Sequence, residues 1–301
     1  MLTLDKVYHA AFKLKEVIRP TDLIHAPQIN PDADVYLKTE NLQVTGSFKV
    51  RGAYYKISTL TDEEKKHGVI ACSAGNHAQG VALAAQRSGI KSIICLPDGA
   101  PISKVEATRS YGAEICLVEG VYDDAYNKAL QLRDEHGYTF IHPFNDEDVI
   151  AGQGTIGLEL LEQLDDIDAV VVPIGGGGLI SGVAYTIKQL NPKIKVYGVQ
   201  AAAADRNYDS VNVGELLEHL QTDGALSGND IGIVKRRDEH VAGLLDEIQR
   251  IPPGIAERLT EQHHLSAQTA HGIHLDGGRG RGHDDDGFAS QTAGGQGHPL
   301  G

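Results

Sequence analysis

The chain has 301 residues, of which 41% are hydrophobic and 23% are charged, and its formal net charge is -14 at pH 7. This length supports a substantial core and most naturally two lobes. The negative charge argues against binding of nucleic acid or an anionic membrane by bulk electrostatics. The sequence contains neither an apolar run long enough to span a bilayer nor the pattern of a signal peptide. We therefore expect a cytoplasmic protein that binds neither nucleic acid nor a membrane.

The region after Gly68 alternates short β-branched runs with helical patterns. The predicted strands are 69–73, 92–97, 113–119, 138–142, 169–174 and 195–200. The predicted helices are 78–87, 103–111, 123–135, 152–164 and 179–189. This alternation predicts an α/β fold with open, twisted, mostly parallel sheets and helices on both faces. Because ligands bind beyond the carboxyl ends of such strands, the loops after Ser73 and Ile174 form the predicted functional edge.

Two further features concern cysteines and the end of the chain. Cys72, Cys95 and Cys116 lie in apolar, strand-like stretches without metal-ligand spacing, which predicts core residues in a reducing compartment and no metal site. Residues 250–301 are rich in glycine and histidine and offer little to bury. We expect this segment to be disordered or non-native rather than a metal-binding tail.

The first segment with chemical potential is residues 45–52, in which Lys49 is the central residue. A lysine can attack a carbonyl when a turn exposes its amine and its surroundings lower its pKa. On local grounds alone, a lysine at a helix start is more often a surface charge.

The second segment, residues 73–80, lies between a predicted strand and a predicted helix. Its small residues let backbone N–H groups approach a ligand, and Asn76 adds a side-chain amide. The alternative is an ordinary strand-to-helix turn with Asn76 as a helix cap.

The third segment contains four consecutive glycines, Gly175 to Gly178, between a predicted strand and a predicted helix. Backbone amides that converge at a helix N-terminus bind phosphate through hydrogen bonds and the helix dipole. The segment is neither a dinucleotide-binding G-x-G-x-x-G motif in a first βαβ unit nor a P-loop, which disfavours nicotinamide cofactors and ATP. We therefore predict a small phosphorylated cofactor, with a flexible turn as the alternative.

Together and in this order, Ser-Phe-Lys, Ala-Gly-Asn-His and the four glycines resemble the threonine dehydratase and serine racemase family of fold-type-II pyridoxal-phosphate enzymes. The similarity runs over about residues 1–200 and implies a two-lobed fold like that of the tryptophan synthase β subunit. The expected large domain is 1–65 with 147–301, and the expected small domain is 66–146. The resemblance also implies pyridoxal 5'-phosphate as cofactor, a small amino acid as substrate, and assembly into a homodimer or homotetramer.

The same resemblance implies roles for individual residues. Lys49 would bind the cofactor covalently and act as the catalytic base, Phe48 would pack beside the cofactor ring, and Asn76 would bond the ring hydroxyl. The phosphate would be held by Gly175, Gly176, Gly177, Gly178 and Leu179. The substrate would be held by Ser73, Ala74, Gly75, Asn76 and His77.

The implied reaction is elimination of water and ammonia from threonine or serine, as in the catabolic, single-module dehydratases. Racemases of this family carry a serine base where this chain has Ala74, so elimination is favoured over racemisation. A serine racemase or a hydroxyaspartate ammonia-lyase remains an alternative.

A catalytically inert relative is the other alternative, because the match weakens beyond residue 200. Asp230 to Arg236 matches the family only loosely, and the late Ser or Cys followed by Gly-Gly-Asn, which contacts the cofactor nitrogen, is absent. The C-terminal part is therefore divergent, truncated or read out of frame.

Overall fold

The computed structural model describes residues 1–30, 33–199 and 231–236. The strands are β1 (Leu23–His25), β2 (Ala33–Lys38), β3 (Val69–Cys72), β4 (Ser92–Pro97), β5 (Glu114–Val118), β6 (Thr139–Phe140), β7 (Ala169–Pro173), β8 (Lys195–Val199) and β9 (Ile231–Arg236). The helices are α1 (Leu4–Leu14), α2 (Lys49–Ser58), α3 (Asp62–His67), α4 (Asn76–Arg87), α5 (Ile102–Ser110), α6 (Tyr122–His136), α7 (Glu147–Gln163) and α8 (Gly178–Leu190). A short 3-10 helix spans Glu40–Leu42. The predicted α/β fold is confirmed.

In the part of the chain that the structure describes, the smaller sheet has four parallel strands in the order β5-β4-β3-β6. Successive side chains of a strand point to opposite faces, and β3 buries both sets. Val69 and Ala71 pack in a cluster with residues of α4, whereas Ile70 and Cys72 pack with residues of α6. Helices therefore cover both faces of this sheet, as the continuous apolar strands predicted.

Within the described residues, the larger sheet has five strands in the order β1-β2-β9-β7-β8. Only β7 and β8 pair in parallel, and the other three pairings are antiparallel. The predicted series did not include β1, β2 and β9. Residues 231–236, which matched the family only loosely, form the middle strand of this sheet between β2 and β7.

The predicted boundaries of the two domains stay a prediction. All four strands of the smaller sheet do lie within residues 66–146. Residues 200–230 and 237–301, which include the segment 250–301 expected to be disordered or non-native, lie outside the described residues. In the part of the chain that is described, no helix combines the length and apolar character needed to cross a membrane.

Helix α7 begins at Glu147 rather than at the predicted residue 152. Asp146 caps it, because its side chain accepts hydrogen bonds from the backbone N–H groups of Asp148 and Val149 at 2.9 and 3.1 Å. The cap extends the helix toward the loop that follows β6. That loop reaches the candidate site.

Glycines bring three helices into close contact around the start of α2. A Cβ added at Gly152 of α7 would lie 2.6 Å from the Cα of Gly52 in α2. A Cβ at Gly80 of α4 would lie 3.1 Å from the backbone carbon of Lys49. The absence of side chains at these points lets α4 and α7 approach the backbone that carries Lys49.

Candidate active site

Lys49 is the first residue of α2 and is partly buried. Its Nζ donates a hydrogen bond to the backbone carbonyl of Pro143 at 2.8 Å and lies 5.4 Å from the centroid of the Phe48 ring. Burial lowers the pKa of Lys49 from 10.5 to about 8, because desolvation disfavours the charged ammonium. An amine with such a pKa is available as a nucleophile or a general base near neutral pH.

A buried ionic network, which no sequence pattern indicated, stabilises the first turn of α2. Arg51 bonds both carboxylate oxygens of Glu40 at 2.8 Å and also pairs with Glu159 of α7. Lys38 of β2 donates to Glu159 at 2.6 Å. Two positive and two negative side chains therefore balance each other, as buried charges require.

The segment after β3 forms the N-terminus of α4. Gly75 precedes the helix, and no side chain caps this end. The backbone N–H of Gly75 donates to the Ser73 hydroxyl oxygen at 3.2 Å, and Asn76 is exposed. Ala74 is partly buried and packs against the core that contains Val50. The predicted contacts of these residues with a substrate or cofactor stay predictions.

His77 differs from its neighbours because its ring is buried. Its Nε2 donates to the backbone carbonyl of Ile141 at 2.9 Å. Burial and the nearby positive charge of Lys49 lower the pKa of His77 to about 3, so the ring is neutral. Since the ring is engaged with the protein, the predicted substrate role of His77 rests on its backbone N–H.

Gly175, Gly176 and Gly177 lie between β7 and α8, and Gly178 is the first residue of α8. A Cβ at Gly175 would meet no atom within 4 Å, and Gly177 has φ +85°, a conformation that favours glycine. A Cβ at Gly176 would overlap the Phe144 ring, and one at Gly178 would lie 2.7 Å from the Phe144 carbonyl oxygen. This glycine turn leaves the N-terminus of α8 without a side-chain cap.

The loop after β6 connects Lys49 to the glycine turn. Pro143 accepts the Lys49 hydrogen bond, and the next residue, Phe144, packs against Gly176 and Gly178. On the other side of the turn, Phe48 and Leu179 belong to one buried cluster. The rule that ligands bind beyond the carboxyl ends of parallel strands could have identified this loop, because residue 142 ends a predicted strand.

These features fit a ligand that carries an aldehyde and a phosphate. A partly buried amine of lowered pKa can attack an aldehyde. An uncapped helix N-terminus behind a glycine turn attracts a phosphate, and the open space at Gly175 leaves room for its approach.

Comparison with known proteins gives a consistent result. The chain is 54% identical over 202 residues to the L-threonine ammonia-lyase of Thermotoga maritima. The matched stretch covers 66% of this chain and 50% of that relative. It is 50% identical over 198 residues to the catabolic L-threonine dehydratase TdcB of Escherichia coli, with 66% of this chain and 60% of the relative covered. The chain thus spans 50% to 60% of the length of these two relatives.

Solved structures of a threonine deaminase and a serine racemase are also similar to this chain. The processed form of threonine deaminase isoform 2 from Solanum lycopersicum matches with a TM-score of 0.63 and 41% identity, covering 66% of this chain and 57% of that one. Maize serine racemase matches with a TM-score of 0.66 and 38% identity, and the match covers 68% of this chain and 63% of the racemase chain. The profile of the family described as pyridoxal-phosphate dependent enzymes matches residues 14–247. The predicted resemblance is confirmed, and the chain belongs to the pyridoxal-phosphate dependent enzyme family.

Proposed function

We propose that this chain is an L-threonine ammonia-lyase, which eliminates water and ammonia from L-threonine or L-serine to give 2-oxobutanoate or pyruvate. The proposal depends mainly on the position of the Lys49 amine. This amine is partly buried and donates a hydrogen bond to Pro143, and the next residue, Phe144, packs against the glycine turn. The names of the relatives support the choice of reaction.

The assigned roles follow from the chemistry of each group. Pyridoxal phosphate, when bound, supplies an electron sink that makes the substrate Cα–H bond acidic. We assign Lys49 as the residue that attaches the cofactor and, once released by the substrate amine, accepts the Cα proton at Nζ. Its lowered pKa favours the neutral amine that both steps need.

Binding and orientation are assigned to backbone groups around the amine. The amides of 175–179 would hold the phosphate at the N-terminus of α8, and Phe48 would pack beside the cofactor ring. Ser73 and the amides through His77 would hold the substrate carboxylate, and the exposed amide of Asn76 would bond the ring hydroxyl.

Racemisation is the second candidate, since maize serine racemase has a similar structure. Ala74 favours elimination, because its methyl group cannot act as a second base on the opposite side of the substrate. Product chirality after incubation with L-serine distinguishes the two reactions: D-serine as the main product would favour the racemase.

The test combines spectroscopy, mapping and an assay. Addition of pyridoxal phosphate to the purified chain should produce a long-wavelength absorbance band, and borohydride should fix the cofactor on Lys49, as mapped by mass spectrometry. L-Threonine should then yield 2-oxobutanoate. The variant Lys49→Ala should show neither the absorbance band nor formation of 2-oxobutanoate. The control variant Lys104→Ala, which changes an exposed lysine, should show both. A mapped adduct without product would favour the inert relative.

We further propose that the protein acts in the cytoplasm as a homodimer or homotetramer. Free cysteines Cys72 and Cys95 in the core suit a reducing compartment. Tyr8 and Phe12, one turn apart on α1, are 50% and 64% exposed, which suits burial against another copy. Light scattering of the purified protein tests the assembly, and a monomer at all concentrations would contradict it.

A further inference from the structure

The loop after β6 is organised by His142. The Nδ1 of this residue accepts hydrogen bonds from the backbone N–H of Phe144 at 3.3 Å and of Asn145 at 2.8 Å. Both bonds need the lone pair of Nδ1, so the ring is neutral and carries its proton on Nε2. We call residues 142–145 the bridge segment.

Titratable groups from three neighbouring elements face this site. Burial lowers the pKa of His142 below its ordinary value, Asp146 at the start of α7 opposes the shift, and the positive charge of Lys49 in α2 adds to it. His77 in α4 interacts with both Lys49 and His142. The net effect keeps the His142 ring neutral, which preserves Nδ1 as an acceptor.

Within the bridge segment, Pro143 provides the acceptor for Lys49. Proline has no backbone N–H, so at this position the backbone offers Lys49 a carbonyl acceptor and no competing donor. That carbonyl lies 2.8 Å from Lys49 Nζ. Any shift of the segment therefore changes the position and the solvation of the lysine amine.

Phe144 ties the same segment to the glycine turn. Its ring occupies the space that a side chain at Gly176 would need, and its carbonyl oxygen lies 2.7 Å from a Cβ built at Gly178. The segment is thus held from within by His142 and against its neighbours by close packing. Ile141, the residue that precedes the bridge segment, is held by His77, whose Nε2 donates a hydrogen bond to the Ile141 carbonyl at 2.9 Å.

We propose that His142 is a positioning residue of the active site, which holds residues 142–145 so that the Pro143 carbonyl receives the Lys49 amine and Phe144 packs on the glycine turn. This proposal rests on the proposed function, since it takes Lys49 as the reacting amine. His142 acts through backbone bonds that it accepts at Nδ1, and it contributes no proton to the reaction.

The test replaces His142 by residues that differ in where they place an acceptor. In His142→Asn, the side-chain oxygen stands close to the position of Nδ1 and can accept from the following backbone N–H groups. The variant His142→Leu has similar bulk without an acceptor, and His142→Gln places its oxygen one atom farther out. If the leucine variant does not fold, the asparagine and glutamine variants supply the comparison.

Two readouts need no cofactor. The first is amide hydrogen exchange in the peptide that contains residues 142–145, which should speed up about tenfold in the leucine and glutamine variants on loss of the bonds to Nδ1. The second is acetylation of Lys49 as a function of pH, followed by mass spectrometry. Its midpoint should lie near 8 in the wild type and in His142→Asn, and should move toward 10.5 in the other two, because water reaches the amine when the segment shifts.

Each outcome of these two experiments either supports or overturns the positioning role of His142. Identical exchange and identical midpoints in all four proteins would overturn the positioning role. An asparagine variant as impaired as the leucine variant would also overturn it, since the imidazole ring itself would then be required. A wild-type protein that behaves as expected here but forms no 2-oxobutanoate refutes only the proposed function, so the two failures are distinguishable.

Discussion

Arg51 and Glu40 form a two-bonded ion pair at 2.8 Å in which neither side chain reaches solvent. Arg51 lies two residues after Lys49 in the first turn of α2, whereas Glu40 belongs to the 3-10 helix after β2. Glu159 of α7 accepts from the same guanidinium. The Arg51 guanidinium therefore joins the 3-10 helix and α7 to the first turn of α2, the turn that begins at Lys49.

Replacement of Arg51 by methionine should destabilise the protein strongly. Removing one partner of a buried ion pair leaves uncompensated charge and typically costs about 3–5 kcal/mol. Urea unfolding of Arg51→Met against the wild type measures this loss. The control is Arg109→Met, because the exposed pair of Arg109 with Glu106 should contribute less than about 1 kcal/mol. Equal stability losses in the two variants would contradict the prediction.

The reactivity of Lys49 should rise through a midpoint near pH 8. The amine attacks an aldehyde only when neutral, and burial lowers its pKa from 10.5 to about 8. At about pH 7.5 the neutral fraction is then about two orders of magnitude larger than for an ordinary lysine. Rates of band formation with pyridoxal phosphate, measured from about pH 6 to pH 10, test this. A midpoint that stays at 10.5 would show that the amine is not desolvated.

His77 should make the protein less stable in mild acid. Its pKa is about 3 in the folded chain and 6.5 when unperturbed, because burial and the charge of Lys49 disfavour the imidazolium. Between these values the unfolded chain binds a proton that the folded chain does not, so stability falls as pH falls from 6.5 toward 3. In His77→Gln, whose amide can still donate to Ile141, this part of the pH dependence should disappear. Parallel unfolding curves at several pH values compare the two proteins, and identical slopes would count against the assignment.

The glycine turn should tolerate an alanine at one position and reject it at another. At Gly178 the added methyl would lie 2.7 Å from the backbone oxygen of Phe144, so Gly178→Ala should cost about 1–3 kcal/mol through overpacking. At Gly175 it would meet no atom within 4 Å, so Gly175→Ala should fold normally. The methyl would nevertheless narrow the proposed phosphate approach and weaken cofactor binding. Thermal unfolding and a pyridoxal phosphate titration separate these effects, and equal stabilities of the two variants would refute the steric argument.

The sequence alone determined the periodic part of the fold and the positions of three chemical segments. Alternating apolar strands and helices are encoded locally, so β4 (Ser92–Pro97) was predicted with its observed bounds. The four glycines likewise follow a strand and open a helix, as predicted, whereas α2, which begins at Lys49, was not among the predicted helices. These features depend on backbone conformation and side-chain spacing, both of which are properties of neighbouring residues.

Only the tertiary structure decided which surfaces meet. Arg51 is buried because Glu40 and Glu159, distant in sequence, converge on it, and no local pattern marks an arginine as internal. Likewise, the contact of Phe144 with Gly178 and the placement of β9 between β2 and β7 join separate parts of the chain. Burial, desolvation and the pKa of Lys49 follow from such long-range packing, and for that reason they emerge only when the chain is folded.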